Sequence, residues 1–234
     1  MKYFTIDPAV FETLPDYCVG LVVAKGIDNS TQSQAIQNFL DQEVSQFAEK
    51  YAGTNVREIK NIDACRQAFY KMNMNPNKFM CSIEALAKRT QKNGVLPHIN
   101  PIVDLGNALS VKYVLPMGAH DIDKCQEDLT IRFSVEGDTF LPLGEEMTET
   151  VPSGELVYVS GHTVKTRRWI WRQSNDGKIT EESKNLVFPI DGFMNIDKED
   201  VLSATNELAD LLKQEFKCEV KTGFVCHDNN SMEL

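Results

Sequence analysis

The sequence predicts a mixed α/β fold in one domain. Three observations point there: an apolar β-branched run near the start, helical stretches through the first hundred residues, and a strand-rich second half that ends in an amphipathic helix. Residues 17–25, YCVGLVVAK, are short, continuous and β-branched, the pattern of a buried strand. Over residues 32–51, Ile36, Phe39, Leu40, Val44 and Phe47 recur at helical spacing, so one face of that helix packs on the strand layer. Two more helical stretches lie near 61–72 and 82–93. In the second, Ser82 precedes Ile83-Glu84-Ala85-Leu86 as an N-cap with an acid in the first turn, and Gly94 closes the helix.

After Asn100 the character changes. Residues 129–135, 155–160, 163–172 and 185–190 are rich in β-branched and aromatic side chains and read as strands. Asn175-Asp176-Gly177 reads as a hairpin-type turn. A helix near 198–216 carries Val201, Leu202, Ala204, Leu208, Leu211, Leu212 and Phe216, and a strand follows at 218–225. The expected domain is 1–225, a single unit with a central sheet and helices, and residues 226–234 are a polar, loose tail.

Composition narrows the function. Apolar residues make 42% and charged residues 25% of the chain, and with 13 Gly and 9 Pro it is neither collagen-like nor disordered. The 24 Lys and Arg against 34 Asp and Glu give a net charge of −10. That excludes a sequence-blind nucleic-acid coat, which depends on phosphate neutralisation. No run of 18 apolar residues occurs and the opening stretch is unlike a signal peptide, so neither a membrane span nor membrane contact is expected. Six scattered cysteines without a Cys-x-x-Cys pair read as the reduced thiols of a cytoplasmic protein. The four histidines show no metal-ligand spacing, so no metal and no cofactor are expected.

The densest run of unusual residues lies between 73 and 123. In INPIVDLGNALSV, taken as a helix, Asn100, Asp104 and Asn107 share one face, where they either line a pocket or cap the neighbouring turns. In LPMGAHDID, Pro116 and Gly118 shape a turn that presents Ala119, His120 and Asp121. His120 beside Asp121 and Asp123 is either an imidazole of raised pKa or a surface histidine among acids. No Ser-His-Asp or Cys-His signature and no Gly-rich phosphate loop is visible.

The strings NPNKFMCSIEALAKR, GVLPHINPIVDLGNALS, VLPMGAHDID and RRWIWRQSNDGKIT carry a resemblance. Its strongest pieces are Val103-Asp104-Leu105-x-Asn107 and Leu115-Pro116-x-Gly118-x-x-Asp121, within a span of roughly residues 66–192. The sequence resembles the B-three/B-four, tRNA-binding and editing domain of the phenylalanyl-tRNA synthetase β subunit, as a stand-alone protein. The resemblance implies an α/β fold enclosing a pocket for an aminoacyl group, and hydrolysis of the ester of a mischarged tRNA. An aminoacyl ester is already activated, so positioning a water and stabilising the oxyanion suffice without a nucleophilic side chain.

On this reading Asn107, Gly118 and His120 are the catalytic set, with backbone amides of the Gly118 turn as oxyanion donors. Asn100, Asp104, Ala119 and Asp121 form the pocket. The sequence departs from the pattern: Gly118 stands where the synthetase has the histidine that reads the phenol, Gly106 replaces a threonine, and Trp171-Arg172-Gln173 replaces a glycine-rich strand end. Tyrosine specificity therefore does not carry over. The alternative is a non-catalytic module of the same fold that binds tRNA or a small ligand.

Two segments run against the net charge. Residues 78–92 (Lys78, Lys88, Arg89, Lys92, Glu84) and 165–184 each carry a net +3. The second interleaves arginines with Trp169 and Trp171, which either stack on a base or pack in the core. Lys88, Arg89, Arg168, Trp169 and Arg172 are the expected tRNA contacts. Residues 121–155 carry a net −8 and residues 191–234 a net −6, so the expected contact is narrow, an acceptor end entering a pocket.

Overall fold

A computed structural model describes residues 1–30 and 32–234. The first half runs β1 (Tyr3–Ile6), α1 (Pro8–Thr13), β2 (Tyr17–Lys25), α2 (Gln34–Lys50), α3 (Lys60–Lys71), α4 (Ser82–Asn93) and α5 (Pro101–Tyr113). The second runs β3 (His120–Asp121), β4 (Leu129–Phe133), β5 (Thr139–Phe140), β6 (Glu149–Thr150), β7 (Leu156–Ser160), β8 (Thr163–Arg167) and β9 (Arg172–Gln173). It closes with β10 (Asn185–Phe193), α6 (Lys198–Phe216), β11 (Glu219–Val225) and β12 (Ser231–Glu233).

The α/β class holds, and the strands divide between two sheets. One has eight strands in the order β12-β1-β4-β7-β8-β5-β6, with β9 beside β8. It is mixed, since β1 runs parallel to β4 and β5 parallel to β8. The other, β11-β2-β10-β3, is antiparallel throughout.

β2 is buried at every residue but Lys25 because it has core on both faces. Val19, Leu21 and Val23 face the cluster shared with the eight-stranded sheet, while Val22 and Ala24 face the cluster under α5 and α6. A two-sided strand needs no polar alternation, which is why YCVGLVVAK reads as one continuous run. α6 lies close on β2 and β10. A Cβ at Gly20 would overlap Thr205 and Val201, and one at Gly192 would overlap Val201 and Asp197, so both positions need glycine for the approach itself.

Helix ends follow local chemistry. Ser33 caps α2 by accepting from the Ile36 N–H at 3.3 Å. Gly94 ends α4 in the left-handed conformation, φ +68°. The start of α4 differs from the expectation: Cys81 is the N-cap and Ser82 the first helical residue, with its N–H donated to the Ile170 carbonyl at 2.9 Å. Glu84 is buried, and its carboxylate accepts from Arg66 at 2.9 Å and Lys88 at 2.7 Å, so it is the centre of an ion cluster rather than an exposed dipole charge.

Three further expectations give way. The strand expected over 163–172 breaks after Arg167, because Arg168 and Trp169 are both left-handed, φ +49° and +59°. Each such non-glycine residue costs about 1–2 kcal/mol, offset here by burial of the Trp169 ring. Asn175–Gly177 forms a short 3₁₀ turn instead of a hairpin turn. The tail expected to be loose forms β12, which pairs antiparallel with β1, and Leu234 is buried with its N–H donated to the Lys2 carbonyl at 2.9 Å. Polar side chains do not prevent that pairing, since the ladder is made by backbone groups. No helix among the described residues is long and apolar enough to cross a membrane.

Truncating Leu234 to alanine is expected to lower stability by about 2 kcal/mol, read as a lower urea midpoint with unchanged slope. A tail that stayed loose would give no change.

Candidate functional site

Asn100 and Asp104 build the frame of the site. Asn100 caps α5, its side-chain oxygen accepting from the Val103 N–H at 3.0 Å and from the Asn29 amide at 3.2 Å. Asp104 is buried and accepts from the Ile99 N–H at 2.8 Å, with His98 Nδ1 at 3.1 Å. Both side chains are thus spent on fixing the entry to the helix, and neither is in the wall of the cavity beside α5. The next turn of α5, with Gly106 and half-buried Asn107, is.

The Pro116–Asp121 segment is pinned along β10. The Gly118 N–H donates to the Pro189 carbonyl and the Asp191 N–H to the Pro116 carbonyl, each at 3.0 Å. This corrects the expected oxyanion role of the Gly118 amide, whose hydrogen is already used. The Gln173 side-chain amide donates to the Ala119 carbonyl at 2.8 Å and the Gly177 carbonyl at 3.2 Å, holding the turn from the other side. Asp121 points away from the cavities: it accepts from Ser183 Oγ at 2.8 Å and from the Asp123 N–H at 3.0 Å.

His120 is neither a surface histidine nor one of raised pKa. It is 2% exposed and stacked on Tyr158, ring centroids 5.4 Å apart. Burial, assisted by the nearby Lys165 charge, pushes its pKa down to about 3, so the ring is neutral at pH 7. Its Nδ1 has no hydrogen-bond partner among the described residues and lies on the Lys165 side, while Nε2 faces Gly118. The lysine charge favours a lone pair at Nδ1 and the proton at Nε2.

Two cavities meet at this turn. The larger, about 260 Å³, is lined by Ile102, Val103, Asn107, Met117, Ala119 and Ile179, with exposed Lys178 also at its wall. The smaller, about 100 Å³, is bounded by His120, Tyr158, Thr166, Pro189 and Asp191. Met117, Gly118 and Gln173 belong to both.

At the smaller cavity lies a hydrogen-bonded group of which the sequence pointed only to Trp169. The buried Asp191 carboxylate accepts from Tyr17 Oη, from Tyr158 Oη at 2.6 Å and from Trp169 Nε1 at 3.0 Å, all on Oδ1. Desolvation outweighs these three hydrogen bonds and raises its pKa to about 6. Burial also raises both tyrosines, with the Asp191 charge adding to it.

A model of one protein family, the B3/4 domain, matches residues 64–217. The chain belongs to the B3/4 domain family. Among solved structures it is similar to an N-terminal fragment of the phenylalanyl-tRNA synthetase β-subunit from Pyrococcus horikoshii, with a TM-score of 0.52 and 11% identity. That likeness covers 93% of this chain and 49% of the other, so the chain spans about half the length of that fragment. No curated protein matches.

In this B3/4 domain the expected cationic contacts are mostly engaged. Arg168 pairs with Glu155 at 2.8 Å and lies over the rings of Phe79 and Trp171, 4.0 and 4.9 Å from their centroids. Arg172 pairs with Glu145 at 2.8 Å, and Lys88 with Glu84. Trp169 is fully buried and offers no face to a base, a correction to its expected role. Arg89 is exposed on α4, a helix that contributes only Ser82 to the cavity walls described here. Lys178, one of the six cations of 165–184, is the cation placed at the larger cavity. Asp191 had one signal in the sequence, an acid inside the apolar strand LVFPIDGF.

The two buried groups titrate in opposite senses. Native Asp191 keeps its proton up to about pH 6 against 3.8 for an ordinary aspartate, so its contribution to stability is lost as pH rises through that window. Native His120 stays neutral down to about pH 3 against 6.5, so its contribution is lost as pH falls. Relative to wild type, Asp191→Asn is expected to gain about 2–3 kcal/mol between pH 4 and pH 7, and His120→Gln to lose less stability on acidification. Urea titrations at the two pH values check both signs.

Proposed function

We propose that this B3/4 domain hydrolyses the ester of a mischarged aminoacyl-tRNA in trans. The observation that carries the reading is the cavity of about 260 Å³ with the Asn107 amide in a largely apolar wall, which shares Met117, Gly118 and Gln173 with the His120 chamber. That size suits one amino-acid side chain, and it falls below the range of cavities that enclose larger ligands whole. The resemblance of Val103-Asp104-Leu105-x-Asn107 and of the Gly118 turn to the synthetase editing domain supports the substrate class.

In this reading the aminoacyl side chain enters between Ile102, Val103, Met117 and Ile179. The Asn107 amide and the Nε2–H of His120 donate to the carbonyl oxygen as negative charge develops on it. A neutral imidazole with its proton on Nε2 is suited to donation, and a water attacks without a covalent intermediate. Lys178 meets a phosphate of the acceptor end. Arg168 and Arg172, being engaged with carboxylates, have a lesser part.

A second reading, binding without turnover, is favoured by one observation: Arg167, Arg168 and Arg172 are neutralised by Glu145, Glu149 and Glu155. Filter binding separates the two, since a binder returns its aminoacyl-tRNA intact.

The test is deacylation of a panel of mischarged tRNAs by the purified protein. At least one is expected to be hydrolysed above background, with Asn107→Ala lowering kcat by about 10²-fold. Lys178→Ala is expected to raise KM several-fold and flatten the salt dependence at unchanged kcat. Release of no amino acid from any tRNA retires the hydrolase.

A further inference from the structure

The Asp191 carboxylate is buried and lines a cavity; Arg172, in the same wall, is paired with Glu145 at 2.8 Å, and Asp191 forms no ion pair among the described residues. Its three donors, Tyr17, Tyr158 and Trp169, are neutral, and all of them use Oδ1. Buried carboxylates are ordinarily matched by a cation or held by a full set of donors. Here Oδ2 takes none of the three donors. The His120 ring stands in the same wall with Nε2 toward Gly118, so in this chamber it is the Asp191 carboxylate that keeps unused hydrogen-bonding capacity.

The chamber's size and position limit what can use that capacity. A volume of about 100 Å³ holds roughly three waters, too little for a ring or a phosphate with its ester, but enough for an ammonium group and the carbon that bears it. The carboxylate disfavours an anion, and the Arg172 guanidinium in the wall is already paired with Glu145. The chamber shares Met117, Gly118 and Gln173 with the larger, apolar cavity, so the two lie close enough for one molecule to place a cationic group in the first and an apolar group in the second. An α-amino acid derivative has that shape, with both groups on one carbon.

We infer that Asp191 is a specificity residue, and that the small chamber between Asp191 and His120 receives the α-ammonium of the aminoacyl group. The inference rests on the aminoacyl reading of the larger cavity and adds a requirement to it. The site distinguishes an aminoacyl ester from an otherwise identical acyl ester. The amino group binds protonated, against the charged carboxylate, and no bond to it forms or breaks.

The test uses non-hydrolysable 3′-amides of adenosine bearing each common amino acid, paired with the matching 2-hydroxy acid amides, which lack only the ammonium. With wild-type protein, titration calorimetry is expected to show at least one amino acid conjugate binding about tenfold or more tighter than its hydroxy partner. Asp191→Asn is expected to reduce that ratio to about two or less while leaving the hydroxy conjugate's affinity unchanged. In case that variant does not fold, the carboxyl ¹³C resonance of Asp191 in the wild-type protein is followed directly. It should shift with the amino conjugate and stay in place with the hydroxy one.

Equal affinity within every binding pair overturns the ammonium subsite and leaves the aminoacyl reading intact. A preference that survives in Asp191→Asn, or an unmoved carboxyl resonance, places the ammonium elsewhere and also overturns it. Binding of no conjugate removes both readings together.

Discussion

A single buried carboxylate joins the two sheets. Asp191 lies on β10 and Tyr17 on β2, both in the four-stranded sheet, while Tyr158 is on β7 of the eight-stranded sheet and Trp169 on the turn that leaves β8. All three rings donate to one oxygen of one side chain. Taking that carboxylate out of water costs several kcal/mol, which charge-assisted hydrogen bonds of about 1.5–3 kcal/mol each offset. Such a joint is directional in a way that apolar packing is not. It requires the β10 register, the left-handed turn at 168–169 and the start of β2 to coincide, and both cavities are shaped by those same elements.

The site is correspondingly stiff. Asn100 and Asp104 fix the entry to α5, Ser110 Oγ donates to the Leu115 carbonyl at 2.6 Å beyond its end, and Gln173 clamps the Gly118 turn. Side chains that share a helical face in sequence therefore divide their work by one turn, the first two holding backbone and Asn107 facing the cavity. Hydrolysis of an activated ester asks chiefly for positioned donors, and positioned donors need a frame of this kind.

Where the sequence was legible, the signal was local. β2, α2, the Gly94 terminus of α4, and α6 follow from periodicity and caps that neighbouring residues settle among themselves. What was illegible depended on partners distant in the chain. The basic cluster of 165–184 and the acidic stretch of 121–155 were counted as separate patches, yet Arg167, Arg168 and Arg172 meet Glu149, Glu155 and Glu145 across the strands. Charge summed along a chain does not know its own counter-ions. Trp169 looked eligible for a base because it stands among arginines, and with the strand broken at Arg168 and Trp169 its ring is buried in the core. His120 beside two aspartates suggested a raised pKa, but Asp121 is held by Ser183 and Asp123 by Asn185.

Gly118 has one more property. Nothing in its backbone demands glycine: a Cβ there would sit 3.5 Å from Pro189 and 3.6 Å from His120 Nε2, ordinary contact distances. What its bare Cα leaves open is space beside the His120 ring and Pro189, both in the wall of the smaller chamber. A side chain there would rest against that wall, while the hydrogen bonds of the Asp191 joint and of the α5 frame involve other residues. Residue 118 is thus a position at which the shape of the chamber can change while the bonds that join the sheets stay as they are.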